Sequence, residues 1–299
     1  MKTVVFYYTQ SGQALEAAKS ICMPMEQAGS VVYKQIVPQQ QYPFPWSSDE
    51  FFDTFPETRL GIPPSGIEPI DLTDIDDADL VMVVGQSWFL SPSLPIQSFF
   101  MDSQVAGYLK GRDVVFVNVC RNMWLMTARK VRDDLRAAGA RLVGHIVLQD
   151  KAPNLVSALT IVRWLLYGRK QASGLLPDAG VRDADIVSAS RFGEIILKAW
   201  QDGSLANLQS QLLSSGAISY KPSILFLEKA GHRMFGLWAK FIRRKGGFRD
   251  KRRRLRVQLF FYYLLVVLFV VSPFAQLFFF LTYPLHRVGR HRQEDCSVE

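Results

Sequence analysis

The chain has 299 residues, 48% of them hydrophobic, with 35 Lys and Arg against 27 Asp and Glu, a formal net charge of +8. Residues 240–256 alone hold ten of these cations against one Asp, and 286–299 are balanced, so residues 1–239 sum to about −1. A near-neutral body excludes the extended cationic face that nucleic-acid binding needs.

In chain order, strand-length apolar runs rich in Val alternate with helical patterns. Runs at 3–8, 31–37, 80–85, 114–119 and 142–148 are continuous rather than alternating, as for strands covered on both faces. Helices are expected over 13–28, roughly 94–109, and 124–138, the last closed by Gly139. A long amphipathic helix over 183–202, opened by Asp183 as N-cap and closed near Gly203, ends the series. Five strands joined by helical crossovers predict a doubly wound α/β domain with a five-stranded parallel sheet.

Two insertions interrupt that plan. Residues 38–69 carry YPFPW, FFDTFPE and GIPPSGIEP, too rich in Pro for long regular structure, and read as a structured loop. Its aromatics at 42–46 and 51–55 either cover exposed core or form an apolar wall for a ligand chain. The second insertion, 150–180, contains SALTIVRWLLYGRK, too short to cross a bilayer and interrupted by Arg163, so a surface helix or lid is expected.

Residues 257–285 run for 29 positions without a charge, directly after the basic run 243–256. About 20 apolar helical residues span a bilayer core. The segment therefore predicts a C-terminal membrane anchor, with the cations on anionic headgroups of membrane lipids. Cations on the near side keep the main domain cytoplasmic. Pro273, and Arg287, Arg290 and Arg292 beyond it, favour a re-entrant hairpin as the alternative to one span. No signal-peptide pattern precedes the first strand. Cys22, Cys120 and Cys296 form no CxxC pair, and His145, His232, His286 and His291 have no metal-ligand spacing, so free thiols and no metal site are expected.

In an open parallel sheet, ligands bind beyond the C-terminal strand ends. Three loops lie there. Thr9, Gln10, Ser11, Gly12 and Gln13 join the first strand to the first helix, where hydroxyls and N–H groups can hold a phosphate without Lys or Arg. After the third strand, Ser87, Trp88 and Phe89 lead to a Pro that opens a helix, and would bring an aromatic face to a planar ring. The third loop, NVCRNMW, borders the ring's other side through Cys120, Arg121 and Asn122. The first two loops together look like the phosphate and isoalloxazine loops of flavodoxin-like proteins and the quinone reductases that share their fold, which implies FMN as cofactor.

YYTQSGQ, YPFPW with FFDTFPE, SWFLSPSLPI, CRNMW, ASRFGE and a closing LTYPL, in that order, resemble the bacterial dialkylresorcinol condensing enzymes over nearly the whole chain. The resemblance implies a role in making dialkylresorcinols, the lipid-like aromatic cores of flexirubin-type pigments, at the bacterial inner membrane. Read with the flavodoxin-like loops, it implies that a partner ketosynthase joins two acyl chains into a cyclohexane-1,3-dione, which this protein aromatises to the resorcinol. That step removes two hydrogens, a task for a flavin oxidoreductase. Arg121 is then the partner of an enolate or carboxylate, with Asn122 beside it.

Two other readings stand beside this one. A condensing enzyme needs a nucleophilic Cys set against His or Asn, for which Cys120 is the candidate nucleophile and His145 the sole histidine of the α/β region. A non-enzymatic alternative is a membrane-tethered flavodoxin-like scaffold that recruits the synthase. The sequence thus divides into a flavodoxin-like domain at 1–204, with insertions at 38–69 and 150–180; a helical, basic juxtamembrane linker at 205–256; a transmembrane or re-entrant segment at 257–285; and a tail at 286–299.

Overall fold

A computed structural model describes residues 1–219 and 221–275. Five parallel strands form the sheet: β1 (Lys2–Tyr7), β2 (Ser30–Gln35), β3 (Leu80–Trp88), β4 (Asp113–Cys120) and β5 (Arg141–Gln149). Their spatial order is β2-β1-β3-β4-β5, so the winding direction reverses between β1 and β3. That order is the flavodoxin-like one. All five expected strands form, and β3 runs three residues beyond its expected end at Gly85.

Side chains alternate across the sheet, as the two-residue period requires. Val5, Met82 and Val84 face α1 (Gln13–Ala28) and α9 (Ser190–Gln201). Val4, Phe6, Val81 and Val83 face α4 (Leu94–Met101), α5 (Ser103–Leu109) and α6 (Leu125–Ala137). Gly193 of the ASRFGE block lets α9 lie directly on α1, since a Cβ there would sit 1.8 Å from the Ile21 carbonyl oxygen.

Three helical expectations change. The pattern over 94–109 divides at Asp102, whose carboxylate accepts from the N–H groups of Gln104 and Val105 at 3.0 Å and so starts a new helix. The pattern over 183–202 divides into α8 (Asp183–Val187) and α9, and Asp183 lies in the first turn after an Arg182 N-cap. The insertion at 38–69 is more regular than expected, with α2 (Ser48–Asp53) capped by Ser47 and α3 (Phe55–Leu60) ended by Gly61 at φ 69°. Proline there is confined to places a helix tolerates, Pro56 lying in the first turn of α3. The insertion at 150–180 forms the expected short surface helix, α7 (Asn154–Tyr167).

Beyond the sheet, α10 (Leu208–Ser214) packs Leu208 and Leu212 into the core, and α11 (Pro222–Arg243) crosses α3 and α6. Next comes α12 (Arg254–Val266), which continues through a π-turn at Val267–Val271 to Ala275. The N–H of Ser272 reaches back five residues to Val267. This widened turn accommodates Pro273, which has no N–H and whose ring crowds the preceding turn, so Pro273 does not end the helix. Lys251–Ala275 is long and apolar enough to cross a membrane, with mean hydropathy 2.2 over its most apolar 18 residues. The rest of the expected anchor, 276–285, and the tail with Cys296, His286 and His291 lie outside the described residues.

The helix does not project freely. Phe260 stacks on Phe55 of the insertion, with ring centroids 3.7 Å apart and planes at 8°. Beside that stack, Arg253 is fully buried and spans two acids. Its Nη1 and Nη2 donate to the Glu57 carboxylate at 2.7 and 2.9 Å, and its Nε to Asp53 at 2.7 Å. Arg243 adds a bond to Glu57 at 3.1 Å, and Arg254 pairs with Asp49 at 2.7 Å. Part of the basic run is therefore spent inside the protein, against the expectation that it all faces lipid.

Removing the cation from a buried pair strands the acids, which typically costs about 3–5 kcal/mol. We expect Arg253→Met to lose stability of that order in urea titrations of the detergent-solubilised protein. Arg253→Met with Glu57→Met should regain most of the loss.

Candidate functional site

The carboxyl ends of β1, β3 and β4 open into a cavity of about 550 Å³ at the point where the winding reverses. Such a position is where open α/β sheets bind ligands. Its floor comes from all three loops singled out in the sequence: Gln10, Ser11 and Gln13; Ser87, Trp88 and Phe89; Cys120 and Arg121. Its walls are α7, α11 and the C-terminal helix, which the sequence reading did not assign to the site.

In the first loop, most side chains bond within the protein. Thr9 Oγ1 accepts from the Gly12 N–H at 3.0 Å. The Gln10 amide donates to the carbonyls of Tyr42 and Pro43 and accepts from the Tyr8 hydroxyl. Gln13 forms a two-way bond with the backbone of Val181, at 2.6 and 3.2 Å. Ser11 Oγ has no partner among the described residues, nor have the N–H groups of Gln13 and Ala14 at the start of α1. These donors point out of a helix N-terminus, where an anion is favoured. Gly12 has φ 96°, a conformation that side chains disfavour, although a Cβ there would meet only a Glu16 oxygen at 3.7 Å. Glycine is thus required by the backbone angle rather than by lack of space.

The second loop is a tight return. Ser87 and Trp88 pair antiparallel with Pro92 and Ser91, leaving Phe89 and Leu90 as the two turn residues at φ 47° and 62°. Turns of this form favour Asn-Gly, and each bulky residue at positive φ costs on the order of 1–2 kcal/mol. Packing holds them there: Phe89 lies 4.7 Å from the Phe51 ring and 5.3 Å from Phe55. Trp88 sits edge-on among Tyr8, Tyr42 and Trp46 at 5.4–6.0 Å, with little surface left for the cavity. Of the insertion's aromatics, Phe44, Phe51 and Phe52 face the cavity, while Tyr42, Trp46 and Phe55 pack within clusters.

The third loop brings Arg121 and Asn122 together on one residue. Arg121 Nη1 donates to the Asn154 carbonyl at 3.0 Å, and Asn122 Nδ2 donates to the Asn154 side chain at 2.9 Å. Asn154 in turn donates to Ser272 of the C-terminal helix at 3.4 Å. Burial pulls the Arg121 guanidinium below its ordinary value, and the neighbouring Asp150 opposes that shift. Beneath the floor, Ser87 Oγ donates to Asn118 Oδ1 at 3.1 Å. Gln86 Oε1, Asn118 Nδ2 and Asn122 Oδ1 are buried without a partner among the described residues. Of these three residues Gln86 lines the cavity, so its unpaired amide oxygen marks where a polar ligand edge would bond, while Asn118 and Asn122 lie behind the lining. In the sequence Gln86 falls in the second loop and Asn118 opens the third, yet neither is singled out there, and only their place at the strand ends would have marked them.

Cys120 and His145 do not form a catalytic pair. Burial, then the nearby Glu228, pushes the Cys120 thiol far up, so it stays protonated. His145 is buried, stacked on Phe116 at 5.5 Å, and its imidazole is pushed down to about 3 by burial. On β5 it lies four residues before Gln149, the partner of Cys120, a separation of roughly 13 Å at the usual strand rise. Among the described residues no group of His, Cys, Asp and Glu can hold a metal.

Glu228 of α11, fully buried, was missed in the sequence. Its Oε1 accepts from the Met126 N–H at 2.7 Å and caps α6 from a neighbouring helix, while Oε2 has no hydrogen-bond partner among the described residues. Burial pushes its carboxyl up to about 7, against the opposing N–H groups of Met126, Leu125 and Trp124.

No family model matches the chain, and no curated protein matches it. Among solved structures, it is similar to an archaeal flavodoxin at 14% identity, covering 67% of this chain and 99% of that one, with TM-score 0.39. A Lactobacillus acidophilus flavoprotein in complex with FMN has 17% identity over 49% of this chain and 92% of its own, also at 0.39. A WrbA-like flavodoxin from Agrobacterium tumefaciens has 13% identity over 67% and 98%, at 0.37. Fold assignment here rests on strand order, and these likenesses assign no residue a role.

Because Glu228 holds its proton more tightly folded than unfolded, its neutral form contributes stability fully below pH 4.5, and that contribution falls as pH rises to about 7. We expect wild-type stability to decline across this window relative to Glu228→Gln, and the difference to level off above it, in paired denaturation curves.

Proposed function

We propose that this chain is an FMN-dependent oxidoreductase of dialkylresorcinol biosynthesis, which aromatises a dialkyl cyclohexane-1,3-dione to a resorcinol at the bacterial inner membrane, with its main domain cytoplasmic. The observation that carries the reading is the single cavity whose floor is polar and lies at the sheet's switch point, and whose walls are apolar helices ending in a membrane-length segment. The family resemblance of the ordered sequence blocks supplies the pathway.

The residues fit FMN. Ser11 Oγ and the N–H groups of Gln13 and Ala14 would hold its phosphate at the start of α1. Gln86 lines the cavity, and its unpaired Oε1 offers an acceptor to the polar edge of the FMN ring. Bound FMN supplies the two-electron acceptor that loss of two hydrogens from the dione requires. Arg121, whose remaining N–H groups have no partner among the described residues, would receive the enolate oxygen, and Asn154 keeps it in place. Asn122, which lies behind the lining, donates to the same Asn154 and so backs Arg121 from the protein side. The α-hydrogens of a 1,3-dione are acidic enough that no strong base is needed. The apolar walls take the two alkyl chains. A partner ketosynthase supplies the dione. The protonated Cys120, far from His145, argues against the condensing alternative.

We expect the purified protein to carry flavin absorbance. Ser11→Asp sets a carboxylate against the phosphate and should lower FMN affinity at least tenfold with the melting temperature unchanged. Equal retention would remove the phosphate from this loop.

In reconstitution, the ketosynthase alone should accumulate the dione, and adding this protein should yield the resorcinol while its flavin bleaches anaerobically. Resorcinol formed equally fast without it would leave the scaffold reading, and no dione without it would support condensation.

A further inference from the structure

The large apolar side chains left uncovered are concentrated on three helices. Leu159, Val162 and Tyr167 are exposed on α7, and Met234, Leu237 and Phe241 on α11. On the C-terminal helix, Leu255, Leu259, Tyr262, Val266, Val270 and Phe274 recur at three- and four-residue intervals, an outward stripe at the helical period. Elsewhere exposed apolar residues such as Met23, Met101 and Val187 stand singly. Val162, Met234 and Val271 are both exposed and part of the cavity lining, so the same three helices form the cavity's rim.

The C-terminal helix is held to the domain at three points along its described length. Arg253 fixes its start, Phe260 its middle and Ser272 its far end, on Asn154. A simple tether would leave the domain after its first turn. This helix instead completes a continuous apolar face. At one end of that face Lys240, Arg244, Lys245 and Lys251 are exposed, with no acidic partner among the described residues. Cations beside a broad apolar surface are the complement of an anionic bilayer, the headgroups meeting the first and acyl chains the second.

We infer that α7, α11 and the outward stripe of the C-terminal helix form one membrane-docking face, which seats the α/β domain on an anionic bilayer and opens the cavity laterally into the acyl-chain region. A ligand with a polar ring and apolar tails enters from the lipid between α7 and the C-terminal helix, ring toward the sheet. That ligand class rests on the oxidoreductase reading; the docking face does not.

The test uses the full chain with Cys296→Ser and one surface cysteine at a time: Val162→Cys, Leu237→Cys, Leu259→Cys, and Met23→Cys as the control on α1. Each is labelled with an environment-sensitive fluorophore and mixed with phosphatidylcholine vesicles containing phosphatidylglycerol and nitroxide-bearing lipid. The expected result is a several-fold fluorescence rise, quenched by the nitroxide lipid, at positions 162, 237 and 259 but not at 23. Changing Lys240, Lys245 and Lys251 together to Glu should weaken vesicle partition at least tenfold, since each cation near the surface adds roughly 1 kcal/mol. Quenching at 259 alone would reduce the helix to a tether and overturn the docking face. Quenching nowhere would mean that protein, not lipid, covers it. Neither signal depends on bound flavin, so a protein that docks but lacks flavin refutes the function proposed above and leaves the docking face standing.

Discussion

A guanidinium with no exposed surface joins the two ends of this chain. Arg253, at the start of the apolar helix, reaches Glu57 and Asp53 in the insertion that follows the second strand, some 200 residues earlier. Two acids and a cation withdrawn from water are tolerable only while all remain paired. The pairing therefore fixes where the C-terminal helix begins relative to the sheet, and the stack of Phe55 on Phe260 gives it an apolar counterpart. The described helix beyond Arg253, to Ala275, takes its direction from this contact.

That direction decides the character of the site. Strand order alone would leave an open crevice above β1, β3 and β4, as in any sheet wound this way. Here the C-terminal helix and α11 roof the crevice and turn it into a cavity with a polar floor and apolar walls. The described helix from 257 to 275 is thus a wall of the cavity as well as a segment apolar enough to cross a membrane. Removing it would take Phe260 off Phe55 and uncover that part of the insertion, so the helix is packed into the domain rather than appended to it.

The polar floor suits binding and orientation better than nucleophilic chemistry. Its thiol is kept protonated by burial, no histidine lines it, since His145 is packed in the core, and its cation is held by a backbone carbonyl. The unpaired Gln86 oxygen that lines it belongs to an amide, as do the unpaired atoms of Asn118 and Asn122 behind the lining. Amides recognise the edge of a ring without exchanging protons with it. The strained return at Phe89 and Leu90 serves the same end. It spends conformational energy to drive Phe89 between the insertion helices, so that the loop bordering the floor is fixed by the contacts that hold the C-terminal helix.

The sequence by itself determined the five strands, the first helix to its end residues, the three loops at the strand ends and the apolar segment, because each depends on local periodicity or composition. Where Pro and aromatics are mixed, as at 38–69, or where an Asp caps a new helix mid-pattern, as at Asp102, local signals compete and boundaries shifted. Only the tertiary structure decided that Gln10 and Gln13 spend their amides on Pro43 and Val181, that Glu228 caps α6, and that Arg253 leaves the basic run to be buried. Each of these is a pairing between residues from about 30 to 200 positions apart. A side chain's type shows what it can bond to, but its partner is set by which elements pack together, and that follows from burying the whole chain's apolar surface at once.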